Sequence, residues 1–350
     1  MISLLIHWYK KHARNLPWRI DSQPYHVWVS EIILQQTQMS RGVDYFQRFI
    51  KQFPDVYSLA SADEHDVLLL WQGLGYYSRA RHMHTAAQQI VNQFDGKIPD
   101  DYEQLRSLKG IGDYTACAIL SIAFRKPFAV ADGNVLRVVS RMHMIELPVD
   151  RKSTVEIIKN EVLAMMQGFC PSDVNQALME LGALVCTHAH PDCYHCPFSS
   201  SCKAFASQRQ NDFPVKRKAL PKTMRYFHYF IFIDDADSIL LYKREDNDIW
   251  KGLYEFPLIE TESSEAIQVV KLKKMFAFLK KEKFDNPQFV FNKVHILTHQ
   301  YINSFFYKVQ IKSKHVHDAS LYVKTSFSRL KNYPIHNLMK WAVSSINEKV

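Results

Sequence analysis

Leu108-Lys109-Gly110-Ile111-Gly112-Asp113-Tyr114-Thr115-Ala116 is the stretch on which the reading of this chain turns. Two glycines bracket one apolar residue between two helical stretches. Such a turn lets consecutive backbone amides point outward, and the helix that follows adds its positive N-terminal end. The result is an anion seat that needs little side-chain charge. Gly110 and Gly112 would form it, and Lys109 would add a phosphate contact. An ordinary helix–helix turn is spelled the same way, so the surroundings must decide.

Outward from this turn the chain reads as helical through residue 205. Apolar residues recur at helical spacing in Val27-Trp28-Ile32-Ile33, Val67-Leu68-Leu70-Trp71, Val135-Leu136-Val138-Val139-Met142 and Ala177-Leu178-Leu181-Leu184. Residues 211–225 (NDFPVKRKALPKTMR) are basic and contain prolines, as a linker does. Beyond them Tyr226–Ile233, Ser238–Tyr242 and Phe305–Ile311 are aromatic and β-branched runs that predict strands, and Val269–Lys281 predicts a helix. The fold class expected is therefore α+β and multidomain: an all-α domain over 1–210, a linker over 211–225, and a smaller α/β domain over 226–350.

The 350 residues carry a formal net charge of +9, which favours an anionic partner. Residues 1–210 hold 21 Lys and Arg against 20 Asp and Glu. If this part binds nucleic acid, it does so through local donors and a basic face. The opening MISLLIHWYKKHAR is broken at His7 and turns basic, unlike an export signal. No apolar run spans a bilayer. The expectation is an intracellular protein without a membrane, whose cysteines are thiols or metal ligands.

Cys186, Cys193, Cys196 and Cys202, with spacers of six, two and five residues, are the strongest chemical signal. Four thiolates so close together in a reducing compartment point to a metal site. Zinc and an iron–sulfur cluster both remain open on spacing alone. The second signal is a pair of carboxylates. Glu31 lies inside the apolar run from Val27 to Leu34, and burial would raise its pKa and keep it protonated. Asp132 precedes Gly133-Asn134 and an amphipathic helix, whose N-terminus should hold it ionised. An acid and an anion stabiliser would result; a solvated Glu31 and a simple capping Asp132 are the plain alternatives. Gln35-Gln36-Thr37-Gln38 offers amides beside the acid for base edges or for the gap left by a flipped base. Gly73-Leu74-Gly75-Tyr76-Tyr77 offers an aromatic wedge.

With these motifs in order, the chain resembles the MutY family of adenine DNA glycosylases, within the endonuclease III-like helix–hairpin–helix superfamily. The likeness runs from Leu16-Pro17-Trp18-Arg19 through the cysteine loop into the C-terminal domain. It implies a helix–hairpin–helix glycosylase domain whose loop 186–202 holds one [4Fe-4S] cluster. It implies that Glu31 protonates adenine at N7 and that Asp132 stabilises or transiently bonds the sugar cation. Asn134 would help orient the site, Tyr114 would stand after the hairpin, and Gln36 and Tyr76 would intrude around the lesion. Trp18 and Arg19 are expected in the adenine pocket. Bifunctional relatives carry a lysine where Tyr114 stands, and a phenol cannot form their Schiff base. Base removal without efficient strand cutting is therefore expected.

The C-terminal domain resembles the MutT-like (Nudix-fold) module of that family. Trp250-Lys251-Gly252-Leu253-Tyr254-Glu255-Phe256-Pro257 carries the likeness, as does Val294-His295-Ile296-Leu297-Thr298-His299. Thr298 and His299 would read 8-oxoguanine, with Leu297 in place of the usual ring. The glutamate-rich magnesium signature of pyrophosphate hydrolases is missing, so no nucleotide hydrolysis is expected. The partner implied is double-stranded DNA with adenine opposite 8-oxoguanine or guanine, met by a monomer at the nucleoid in a bacterial cytoplasm. A bifunctional endonuclease III-like enzyme and a non-catalytic iron–sulfur DNA-binding protein are the competing readings.

Overall fold

The computed structural model describes residues 1–217, 220–265, 272, 276, 286–312 and 321–347. Two compact units result: Met1–Ser61 with His82–Lys218, and Ala62–Arg81 with Ala219–Val350. Nothing in the letters of 62–81 announces that they group with the second unit.

The first unit is helical, as its 3.6-residue periodicity requires. Its elements are α1 (Ile2–His12), α2 (Pro24–Leu34), α3 (Met39–Gln52), α4 (Val56–Ala60), α6 (Ser78–Phe94, shared with the second unit), α7 (Tyr102–Ser107), α8 (Asp113–Ile122), α9 (Gly133–His143), α10 (Lys152–Met165), α11 (Pro171–Leu184) and α12 (Lys203–Ala206). One core gathers Leu5 of α1, Val135, Val138 and Val139 of α9, Ile158 and Val162 of α10, and Val174, Leu178 and Leu181 of α11. Phe198, inside the cysteine loop, closes it. Helix α2 begins at Pro24, where the missing amide costs nothing. Eight of its residues are buried, because it packs against α3 and α8 rather than lying at the surface.

Residues 108–112 turn α7 into α8. Gly110 has φ +79°, and a Cβ there would lie 2.6 Å from the Cβ of His82, so both backbone sign and space demand glycine. Gly112 differs: its φ is −83°, and it serves as the N-cap of α8 without a side-chain bond.

The second unit contains α5 (Glu64–Trp71) and a seven-stranded mixed sheet: β1 (Thr223–Ile233), β2 (Ser238–Lys243), β3 (Tyr254–Glu255), β4 (Leu258–Thr261), β5 (Gln288–Ile296), β6 (Gln300–Gln310) and β7 (Tyr322–Ser326). Strand β1 starts inside the stretch read as linker. It runs parallel to β6 from Thr223↔Gln300 to Ile233↔Gln310. Cores lie on both faces of the sheet, one including Phe227, Tyr229 and Ile302, the other Phe230, Phe232 and Val309. Helix α13 (Asn337–Asn347) covers the first face through Leu338, Met339 and Ala342. The helix expected over Val269–Lys281 lies outside the described residues, apart from Leu272 and Phe276. No helix among the described residues is long and apolar enough to cross a membrane.

Candidate active site

Helix α2 carries Glu31 into the interior at 5% exposure. Its carboxylate accepts a hydrogen bond of 2.5 Å from the Tyr114 hydroxyl, on the second residue of α8. Burial pushes the Glu31 pKa up to about 7; the Tyr114 bond opposes this, the Asp132 charge adds to it and Arg19 opposes it. The Tyr114 phenol is pushed well above its ordinary value, chiefly by burial and next by Glu31. Near neutral pH, then, Glu31 is a carboxyl poised to give a proton and Tyr114 stays neutral.

Asp132 caps α9. Its Oδ1 accepts from the amides of Asn134 (3.0 Å) and Val135 (2.8 Å), and its Oδ2 from the Asn134 side-chain amide (2.8 Å). A helix N-terminus is expected to hold this acid ionised. The cap is present, but burial outweighs these donors, and the pKa of Asp132 is raised. Both carboxyls therefore shift the same way, with Glu31 reaching about 7.

Asn134 is itself pinned. Arg137 donates to its Oδ1 at 2.9 Å and to the carbonyls of Gly182 and Cys186, each at 2.7 Å. Behind it stands Gly182 of α11, where an added Cβ would lie 2.5 Å from the Asn134 Cβ and 2.9 Å from its Cα. We expect Gly182→Ala to force the two helices apart. It should cost about 1–3 kcal/mol through overpacking, set against about 1 kcal/mol of helix propensity gained, and lower the excision rate more than the stability. A melting curve beside a single-turnover rate checks this; equal rates for variant and parent would show that α9 tolerates the shift.

A pocket of about 630 Å³ collects these groups, large enough for a nucleobase and its sugar. Its walls include Glu31, Tyr114, Asp132 and Asn134, along with Gln36, whose φ is +58°. They also include Arg14, Arg19 and Glu180. Of these three only Arg19 was expected. Trp18, expected beside it, is turned into the core, where its ring meets Phe46 edge-on at 5.1 Å. A wide aromatic finds more apolar surface there than on a polar wall.

The four cysteines stand around one cavity together with Arg141, Val185 and Phe205. None is in a disulfide. Among the described residues no three Cys, His, Asp or Glu side chains close round a single-ion position. Backbone amides act on two of the sulfurs, Phe198 on Cys196, and Ala204 and Phe205 on Cys202. Arg141 of α9, 2% exposed, donates to the Cys186 sulfur at 3.3 Å. Four thiols round one cavity, with amide and guanidinium donors aimed at their sulfurs, are a donor set that an anionic metal group can use.

In the second unit Leu297-Thr298-His299 forms the tip of the β5–β6 hairpin, with the Leu297 amide bonded to the Gln300 carbonyl at 2.9 Å. Thr298 is hydrogen-bonded to the Tyr76 hydroxyl. Both line a pocket with Trp250, His295 and His299. Tyr76 has φ +48° and is 45% exposed, so its ring is held out by the backbone. Lys109 lies exposed on the hairpin of the first unit, its amide tied to Gln89 Oε1 at 2.8 Å.

Residues 29–162 match the family model of the HhH-GPD superfamily base excision DNA repair protein, and residues 228–350 match that of the NUDIX domain. A curated adenine DNA glycosylase of Buchnera aphidicola subsp. Baizongia pistaciae is 35% identical over 257 residues, covering 72% of each chain. That of subsp. Schizaphis graminum is 32% identical over 318 residues, covering 89% of this chain and 85% of its own. A thermostable thymine-DNA glycosylase of solved structure shares the fold at a TM-score of 0.54 and 23% identity, covering 59% of this chain and 95% of its own.

Proposed function

Because this chain belongs to the adenine DNA glycosylases, we propose that it hydrolyses the N-glycosidic bond of adenine mispaired in duplex DNA and leaves an abasic site on an unbroken strand. The observation that carries this reading is the Glu31 carboxyl, buried and bonded by Tyr114 on the pocket wall. A flipped adenine in that pocket receives its proton at N7 from Glu31 and becomes a better leaving group. Asp132, fixed by Asn134 and Val135, offsets the positive charge that grows on the sugar or bonds it transiently. A water attacks last.

Strand cutting needs an amine at the sugar. Tyr114 offers a phenol, Lys126 is bound to Asp100 and Lys159 to Asp113. This supports a monofunctional enzyme over a bifunctional one, and the paired acids support an enzyme over a passive DNA-binding protein. Cys186, Cys193, Cys196 and Cys202 would hold one [4Fe-4S] cluster, which supplies a rigid cross-link and a redox-capable centre when bound. The hairpin at Lys109, Gly110 and Gly112 takes phosphates, and Gln36 enters the duplex. Thr298, His299 and Tyr76 read 8-oxoguanine on the opposite strand. The chain works as a monomer on the chromosome, and its bacterial relatives support a bacterial cytoplasm.

The test is a single-turnover assay on duplexes with adenine opposite 8-oxoguanine, guanine or thymine, sampled with and without hot alkali. Breaks that need alkali and form fastest opposite 8-oxoguanine are expected. Breaks without alkali would reinstate the lyase, and equal rates opposite guanine and 8-oxoguanine would remove the role given to Thr298 and His299. The rate should also fall as pH rises through about 7, where Glu31 loses its proton.

A further inference from the structure

On the wall of the pocket that Glu31 also lines, one carboxylate holds two guanidiniums. Glu180 of α11 is 1% exposed. Its Oε1 accepts from Arg14 Nε at 2.7 Å and from the Arg14 amide at 2.9 Å. Its Oε2 accepts from Arg14 Nη2 at 2.9 Å and Arg19 Nη2 at 2.8 Å. Four donors on two oxygens leave this group committed to the anion. Burial pushes its pKa up, yet the Arg14 and Arg19 bonds outweigh it and hold the carboxyl down at about 2.

The groups that act on Glu31 come from α8, from the start of α9 and from the turn at 17–19. Tyr114 of α8 donates to it, Asp132 at the start of α9 disfavours its anion, and Arg19 favours its anion. Arg14 and Glu180 share the same pocket. The two arginines and Glu180 carry one net positive charge between them. Without the carboxylate the wall would carry two on half-buried side chains, where water screens only in part, and the guanidiniums would lose the bonds that aim them.

We propose that Glu180 is a positioning residue for the proton donor: by clamping Arg14 and Arg19 it keeps that wall from drawing the proton off Glu31. The proposal rests on the reading of Glu31 as the acid. It acts through Arg19 and asks no contact between Glu180 and the base.

The experiment is the pH profile of single-turnover adenine excision from pH 5.5 to 8.5, for the parent, Glu180→Gln, Arg19→Gln and the double variant. Folding is checked by near-ultraviolet circular dichroism. In Glu180→Gln the alkaline limb should move down by about half a unit to one unit, the scale on which a nearby charge acts. In Arg19→Gln it should move up. The double variant restores the net charge of the wall and should return the limb toward the parent. Glu180→Asp keeps the charge, so its limb should stay in place even if its rate falls. A Glu180→Gln rate reduced equally at every pH, with the limb unmoved, overturns the proposal and leaves Glu180 a structural residue. Should Glu180→Gln fail to fold, a limb in Arg19→Gln that stays or moves down overturns it as well. A parent profile with no limb near 7 sinks the acid assignment itself, which separates that failure from this one.

Discussion

Glu31→Gln is expected to lower adenine excision by roughly 10²–10⁴-fold, the range a general acid supplies, while making the protein more stable above pH 7. The second effect follows from the sign of the shift. The Glu31 carboxyl titrates near 7 in the fold and near its ordinary 4.5 when the chain is unfolded. A raised acid favours the fold while both states are protonated, below about 4.5. That advantage is lost as pH rises toward 7, because the unfolded chain has ionised and the folded one resists. A difference of about 2.5 units amounts to about 3 kcal/mol of instability, fully present above pH 7. Glutamine cannot ionise and still accepts from Tyr114, so it escapes the penalty. Urea midpoints of parent and variant at pH 5 and pH 8 measure it. Asp132 is raised too, so only the difference between the two proteins isolates position 31. Parallel curves at both pH values would mean that Glu31 ionises normally in the fold. An excision rate matching the parent would remove it as the acid.

How much of this was legible beforehand varies with how local the cause is. A glutamate among Val27, Trp28, Ile32 and Ile33 announces burial from its neighbours in the chain, and the structure places it there. The cysteine cluster, the glycine turn and the aromatic runs of β1 and β6 are local in the same sense. The cap at Asp132 was legible, but its charge balance was not, since burial depends on what packs over the residue. Glu180 was missed altogether. Its partners Arg14 and Arg19 lie 166 and 161 residues away, beyond any local pattern. One signal did exist: Glu180 is three residues after Ala177 and four before Leu184, so it borders the apolar stripe of α11. Trp18 misled for the converse reason. Beside Arg19 in sequence, it turns the other way in space, because adjacent residues share no face.

Arg141→Met is expected to destabilise the first unit by at least about 3–5 kcal/mol and to loosen the cysteine loop, although position 141 is none of the four thiols. Its guanidinium is a buried fork. Nε donates to the carbonyls of Gln210 (2.7 Å) and Phe213 (3.1 Å). Nη1 reaches the Thr187 carbonyl (2.7 Å) and the Cys186 sulfur, and Nη2 the His188 carbonyl (3.0 Å). One side chain on α9 therefore ties the start of the loop, 186–188, to the segment that leaves it, 210–213. Methionine fills similar space and supplies no donor, so four carbonyls each lose a bond at about 1 kcal/mol or more. Lysine keeps the charge but cannot fork, and should recover little. For a unit of this size the loss appears as a melting temperature lower by about 10 °C. Hydrogen exchange at the amides of 186–202 reports the loop separately from the core formed by α9, α10 and α11. Exchange that rises more in the loop than in the core is the expected pattern, since the core loses only the global term. Exchange that rises equally everywhere would mean that Arg141 stabilises the helices as a whole. A melting temperature within a degree or two of the parent would show that the loop is held by its thiols alone.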